Sequence, residues 1–164
     1  MRYATLAFAL ALCLALAGCV TAASQMEPAG PAPEPMDAAN RVLIRTQDAP
    51  KDAYQKTARI LQREGYTLSN TDETLLTLTT DWKNYQGTGG EMRVTAIVDE
   101  RDEGATVTLQ GKNAVRTGGG QFAESAGSEI QNSGQSGSPM LNAFKELERL
   151  ASQYESAEIA YARN

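Results

Sequence analysis

Histidine is absent from this 164-residue chain, and cysteine occurs only as Cys13 and Cys19. Zinc sites are built from clusters of histidine and cysteine, so the sequence offers none. Serine hydrolysis without histidine needs a serine–lysine pair or a similar arrangement, but the five lysines are scattered and no Gly-x-Ser-x-Gly motif occurs. Glycoside hydrolysis needs a pair of carboxylates, but Glu64 is the one acidic residue that could fall on an apolar face. We therefore expect no catalytic residues, no metal and no cofactor, and a hydrolytic enzyme is the least favoured class.

Positive charge is also scarce, with 15 Lys and Arg residues against 20 Asp and Glu residues and a net charge of −5. Nucleic-acid binding calls for a basic face, and docking on anionic lipid calls for clustered basic residues. The composition therefore argues against nucleic acid as a partner. It argues equally against binding a membrane through the surface of the folded part.

The chain contains only one long hydrophobic run, which lies in the first eighteen residues. Arg2 precedes an apolar stretch that ends in small residues, which is the outline of a secretory signal. The run is too short for a comfortable membrane span of about 20 residues. Residues 1–18 are therefore predicted to be a signal peptide.

The end of this run, Leu16-Ala17-Gly18-Cys19, resembles the lipobox of bacterial lipoproteins and matches it at all four positions. The resemblance implies cleavage before Cys19, diacylglycerol on its sulfur and a fatty acyl group on the new amino terminus. Val20, rather than Asp, implies the periplasmic face of the outer membrane, or the cell membrane where there is only one. The alternative is an ordinary secretion signal with an accidental cysteine. Under either interpretation one cysteine remains, so no internal disulfide forms.

Residues 19–40 are rich in proline and alanine, and four of the six prolines lie there. Such a segment favours an extended tether at about 3.1 Å per residue, which would reach about 60 Å. Residues 41–155 suit one small domain, and residues 156–164 are expected to be a C-terminal tail. The Gly- and Ser-rich segment 117–137 is expected to be a flexible connection.

Two amphipathic helices are predicted in the domain. The first begins near Pro50, with Asp48 as its capping carboxylate, and ends at Gly65 with Tyr66 folding back on the last turn. The second begins at Ser138, and its apolar residues recur at spacings of three and four.

The remaining segments alternate between apolar and polar residues. The strands are expected at 41–46, 66–69, 74–82, 92–99 and 105–110, with one apolar face. Together with the helices they predict an α+β fold, a two-layer sandwich with an antiparallel sheet of four to five strands and both helices on one face.

The order strand–helix–strands–helix on a lipidated tether resembles the helix-grip domains of small periplasmic lipoproteins, such as the C subunit of the outer-membrane β-barrel assembly machinery. The similar stretch runs from Ala53 to Trp82, through the Gly-aromatic corner and the Thr-rich strand. The resemblance implies a helix-grip-like order β-α-β-β-β-β-α and an envelope habitat, and it identifies no partner. A single such domain and the long Gly/Ser insertion depart from that family.

The polar face of the sheet is the predicted partner surface, because short side chains on a rigid sheet lose little entropy on contact. Its residues are Thr77, Thr79, Arg93, Thr95, Ile97, Thr106 and Thr108. A solvated face without function is the alternative. Trp82 and Tyr85 are candidate aromatic anchors for a partner; alternatively, Trp82 closes the end of the core with its indole N–H reaching water.

Three function classes remain open. The favoured class is a membrane-anchored envelope lipoprotein, a non-catalytic interaction or assembly-accessory module with an envelope protein partner. The second is a carrier of a small hydrophobic or lipid ligand between helix and sheet, which the apolar residues oppose because they suffice to fill a close-packed core. The third is a hydrolytic enzyme.

Overall fold

The computed structural model describes residues 31–85, 90–115 and 127–164 of the protein. These residues form one antiparallel sheet and two helices, so the predicted α+β class is confirmed. The predicted signal peptide, Cys19, most of the predicted tether and residues 117–126 of the predicted flexible connection lie outside the described residues.

The helices are α1, Pro50–Arg63, and α2, Pro139–Ala151. The predicted end of α1 is confirmed: Gly65 has φ +79°, its N–H bonds the Gln62 carbonyl, and the Tyr66 N–H bonds the Leu61 carbonyl. Ser138 caps α2 by accepting a hydrogen bond from the Leu141 N–H at 3.1 Å.

The predicted start of α1 at Pro50 is confirmed, but the prediction that Asp48 caps the helix is wrong. The residue before α1 is Ala49, which makes no side-chain cap hydrogen bond. The Asp48 carboxylate instead accepts a hydrogen bond from the Lys56 ammonium group at 2.9 Å. Asp48 therefore contacts α1 through an ion pair with Lys56 and does not cap the first turn of the helix.

The sheet has eight strands among the described residues, so the expectation of four to five strands is wrong. Six strands follow the order β2-β3-β5-β6-β1-β8, while β4 pairs with β5 and β7 pairs with β6. The strands are β1 Arg41–Thr46, β2 Leu68–Asp72, β3 Thr77–Thr80, β4 Lys83–Asn84, β5 Gly90–Arg101, β6 Gly104–Val115, β7 Ser128–Glu129 and β8 Glu158–Ala162.

The segment 156–164 is not a tail, because it contains β8. This strand pairs with β1 in the register Arg41↔Ala162 and Ile44↔Ile159. Without β8, the N–H and C=O groups along one side of β1 would form an unpaired sheet edge. The pairing makes β1 an interior strand and completes the sheet on this side.

The boundaries of the domain also differ from the prediction at two other places. Ser128 and Glu129 form β7, and Ile130 is fully buried, so residues 128–130 belong to the folded domain and not to the flexible connection that was expected. In the predicted tether, Ala32 bridges Tyr161 and Ala39 is fully buried. The folded domain therefore begins well before residue 41.

Both helices pack on the same face of the sheet, as predicted, and the core lies between the two layers. The alternating residues of β1, β5 and β6 that face the helices are buried, and those on the opposite face are mostly half-buried. Leu76 falls in the predicted strand 74–82, but it lies in the turn between β2 and β3 with φ +50° and is only partly buried. The largest fully buried side chains include Phe144, Ile44, Leu61, Leu78, Met92 and Leu147.

Candidate functional site on the outer face of the sheet

The seven residues of the predicted partner surface lie on one face of the sheet, the face opposite the helices. Thr77 pairs with Ile97, and Ile97 pairs with Thr108 across three neighbouring strands. Thr79 pairs with Thr95, and their hydroxyl oxygens are 3.5 Å apart. Directly paired residues share a face of a sheet, so the structure brings these side chains together.

The predicted partner surface is less exposed to water than its polar side chains suggest. Six of the seven residues are half-buried, and Thr108 is only 8 % exposed. The reason is that β6 is a central strand, flanked by β5 and β1, and Leu43 of β1 lies opposite Thr108. Ile97, Thr108 and Leu43 therefore form a central row across the face, and Ile97 and Leu43 are its apolar members.

Tyr85 is not an exposed aromatic anchor, so this prediction is wrong. Its side chain is 5 % exposed and belongs to the core. Its hydroxyl lies 3.0 Å from both the Asn113 Oδ1 and the Pro139 carbonyl oxygen. Tyr85 therefore connects β6 to the first residue of α2, which sequence reasoning missed because both contacts are distant in the chain.

Trp82 is half-buried at the edge of the outer face. The Arg93 guanidinium lies over its ring, 5.0 Å from the centroid, in a cation–π arrangement. The backbone of Gly127 approaches the ring so closely that a Cβ there would lie 2.5 Å from its Cη2. The expectation that the indole N–H reaches water is wrong, because Nε1 is buried, and it has no hydrogen-bond partner among the described residues.

An open cleft of about 580 Å³ lies on this face, beside the central row. Residues of β6 form its floor, since Gln110 and Lys112 point to the outer face. Arg93 stands on one side of β6, and Arg41 and Glu129 stand on the other, because β1 and β7 pair with consecutive parts of β6. The lining residues are Arg41, Thr79, Arg93, Thr95, Gln110, Gly111, Lys112, Glu129 and Asn164.

Among the described side chains that line the cleft, three are cationic and one is a carboxylate. Arg93 lies directly opposite Lys112, and Lys112 lies directly opposite Glu129. The four salt bridges among the described residues do not involve Arg41, Arg93 or Lys112. The Glu129 Oε1 accepts a hydrogen bond from the buried Asn40 side-chain amide at 3.0 Å. Positive charge therefore predominates in the cleft of an otherwise acidic protein.

Three buried side-chain nitrogen atoms of the described residues lack a hydrogen-bond partner there: Arg41 Nε, Arg93 Nε and Trp82 Nε1. All three are N–H donors. Two belong to residues of the cleft, and the third belongs to the ring on which Arg93 is stacked. The described part of the site therefore contains buried donors that no described acceptor satisfies.

The predicted partner surface contains three of the cleft residues, Arg93, Thr79 and Thr95, but sequence reasoning missed the other six. Arg41 alternates with the buried Val42, so its place on the polar face of β1 was readable from the sequence. The sequence did not indicate that β1 and β7 both pair with the same edge of β6.

Among residues 31–85, 90–115 and 127–164, no group of three or more acidic or sulfur ligands is placed to hold a metal ion. The helices in these ranges are too short or too polar to cross a membrane. No protein-family model and no curated protein sequence matches the chain.

Proposed function

We propose that this protein is a lipid-anchored lipoprotein of the bacterial envelope, on the periplasmic face of the outer membrane. The observation that carries this proposal is the sequence Leu16-Ala17-Gly18-Cys19 at the end of a short apolar run. Several acyl chains on one cysteine hold a protein stably on a bilayer, whereas a single chain gives only marginal binding. The lipid on Cys19 is therefore the membrane anchor.

We further propose that the folded domain is a non-catalytic interaction or assembly-accessory module with a helix-grip-like arrangement. The element order strand–helix–strands–helix supports this fold, and β8 beside β1 is an addition to it. The packing between the layers favours this role over that of a ligand carrier. Phe144, Leu147 and Val94, which meet between helix and sheet, are each 0 % exposed, whereas carriers keep an apolar cavity there.

The outer face of the sheet is the proposed docking site for an envelope protein. Its strands are tied into a sheet with neighbours on both sides, so its side chains are held in place before a partner arrives. Thr77, Thr79 and Thr95 are short and half-buried, and ordering them on contact costs little conformational entropy. Ile97 and Leu43 supply an apolar centre to the same face.

The anchor is tested by Cys19→Ala, with Cys13→Ala as the matched control. Cys19→Ala should leave an uncleaved or soluble precursor, and Cys13→Ala should mature and partition with membranes like the wild type. Globomycin, which blocks lipoprotein signal cleavage, should arrest the wild-type chain before maturation. The lipoprotein proposal is overturned if Cys19→Ala matures and fractionates with membranes as the wild type does.

The docking face is tested by the pair Thr77→Glu and Thr95→Lys, which adds no net charge. The matched control is Gln55→Glu with Gln62→Lys, two exposed positions on α1. Both double variants should keep the circular dichroism spectrum of the wild type. Crosslinking in intact envelopes should lose its partner band only in the outer-face variant. Equal crosslinking in both variants would exclude the outer face as the docking site.

A further inference from the structure

We infer that the cleft bounded by Arg41, Arg93 and Lys112 is a binding site for an oxyanion, a carboxylate or phosphate group. This inference goes beyond the proposed function, because it concerns the folded domain alone and holds whether or not a protein docks on the sheet. It rests on three independent features of the described residues: their charges, their unpaired donors and their geometry.

The first feature is an unfavourable pairing of like charges. Arg93 and Lys112 are direct cross-strand neighbours on the same face, an arrangement that destabilises a sheet when both residues carry the same charge. Arg41 adds a third cation to the same cleft. Among the described residues, Glu129 is the one acidic side chain that lines the cleft, and its Oε1 accepts a hydrogen bond from Asn40. An anion bound among the cations would relieve this repulsion.

The second feature is the set of unpaired donors. A buried N–H group without an acceptor costs free energy, and more so when it belongs to a charged group. Arg41 Nε and Arg93 Nε both have this property among the described residues. An oxyanion offers several acceptor lone pairs at once and could satisfy both arginines.

The third feature is the kind of donor that the strands present. A guanidinium group presents its N–H donors in a planar fork that matches the oxygens of a carboxylate or phosphate. Lys112 contributes a point charge, and Thr79 and Thr95 contribute hydroxyl groups at the side of the cleft. The set combines fixed positive charge with several hydrogen-bond donors, which suits a small anion that is rich in acceptor oxygens.

Trp82 is a built-in reporter for this site, since it is the only tryptophan of the chain and lies against Arg93. Its fluorescence is followed in the full chain, purified in a maltoside detergent, during separate titrations with inorganic phosphate and with succinate. Sodium chloride at matched ionic strength is the reference titration. A saturable change with phosphate, with succinate or with both supports the site, and the stronger ligand identifies the preferred oxyanion.

The variants Arg41→Gln and Lys112→Gln should each weaken binding by about tenfold or more, the range expected for one charged hydrogen bond. Glu129→Gln should tighten binding, because it removes the opposing charge. Arg101→Gln, at the exposed end of β5, loses the same charge outside the cleft and should bind like the wild type. Equilibrium dialysis with labelled phosphate and succinate measures all variants without relying on the fluorescence of Trp82.

Two results would overturn the inference: responses to phosphate and succinate no different from that to sodium chloride, or equal affinities in Arg41→Gln, Lys112→Gln and Arg101→Gln. Circular dichroism identifies any variant that fails to fold. The affinity of the other cleft variant, compared with that of Arg101→Gln, then tests the inference. Because these measurements use no partner protein, their failure leaves the crosslinking test of the docking face unaffected.

Discussion

The Arg149 guanidinium of α2 lies 2.7 Å from the Glu64 carboxylate at the end of α1. The same guanidinium donates two hydrogen bonds to Glu146, at 2.7 and 2.8 Å, and Tyr66 donates a third to Glu146 at 3.2 Å. This cluster joins the C-terminal end of one helix to the middle of the other. It gives Glu64, the one acidic residue that sequence reasoning placed near an apolar face, a structural role.

Replacing Arg149 by methionine should destabilise the domain by about 1–2 kcal/mol, because the partly buried Glu146 would lose its charged donor. Methionine keeps much of the aliphatic contact that an arginine stem makes, so the loss reports mainly on the polar contacts. Urea unfolding measures the change in the free energy of unfolding. Lys145→Met, at an exposed position of the same helix, is the control and should stay within about 0.5 kcal/mol of the wild type. Equal effects of the two substitutions would contradict a specific role for Arg149.

Acidification should lower the stability of the domain through Glu146 and Asp48. Burial raises the pKa of Glu146, but the hydrogen bonds and charge of Arg149 outweigh it and hold this pKa below 4.5. The hydrogen bond from Lys56 lowers the pKa of Asp48 below 3.8, against the opposing effect of burial. A carboxyl group whose pKa is lower in the folded state stabilises the fold above its unfolded pKa.

This stabilisation should be complete above about pH 5 and should be lost as the pH falls through the folded pKa values. Urea unfolding at a series of pH values measures the loss. Arg149→Met should show a smaller decrease than the wild type in the same range, and Lys145→Met should follow the wild type. A wild-type stability that does not fall on acidification would contradict the assignment.

Tyr85→Phe should lower the free energy of unfolding by about 1–3 kcal/mol, because the substitution removes the hydroxyl that bonds the buried Asn113 side chain. In a double-mutant cycle with Asn113→Ala, the two effects should be less than additive, since each substitution removes the same hydrogen bond. A neutral Tyr85→Phe would contradict a stabilising hydrogen bond between the Tyr85 hydroxyl and Asn113.

Deletion of residues 157–164 should destabilise the domain by at least about 3 kcal/mol, because it removes β8 and the contact of Tyr161 with Phe144, whose ring centroids are 6.1 Å apart. Deletion of residues 163–164 alone leaves β8 intact and is the matched control for stability. Amide hydrogen exchange of β1 should accelerate only in the longer deletion. If both deletions leave the exchange rates of β1 unchanged, β8 does not support the sheet.

The parts of the fold that the sequence predicted correctly depend on contacts between near neighbours in the chain. The end of α1 follows from Gly65 and Tyr66, since only the last turn and the next two residues form that cap. The start of α2 follows in the same way from Ser138, whose side chain bonds an N–H three residues later. The strict alternation of β5 and β6 identifies the core face, because successive side chains of a strand point to opposite sides.

The tertiary structure decided which distant segments pair, and local patterns carry no information on that choice. The residues of β8 alternate like any short strand, but only its pairing with β1 makes it part of the sheet rather than a tail. Tyr85 is buried because Asn113 and Pro139 converge on it from other elements. The cleft has the same origin: Arg41 and Arg93 are read from the sequence as polar positions on two separate strands. Both arginines face one cleft only because β6 lies between those strands. The register in which the strands pair is set by the burial of the other face of the sheet.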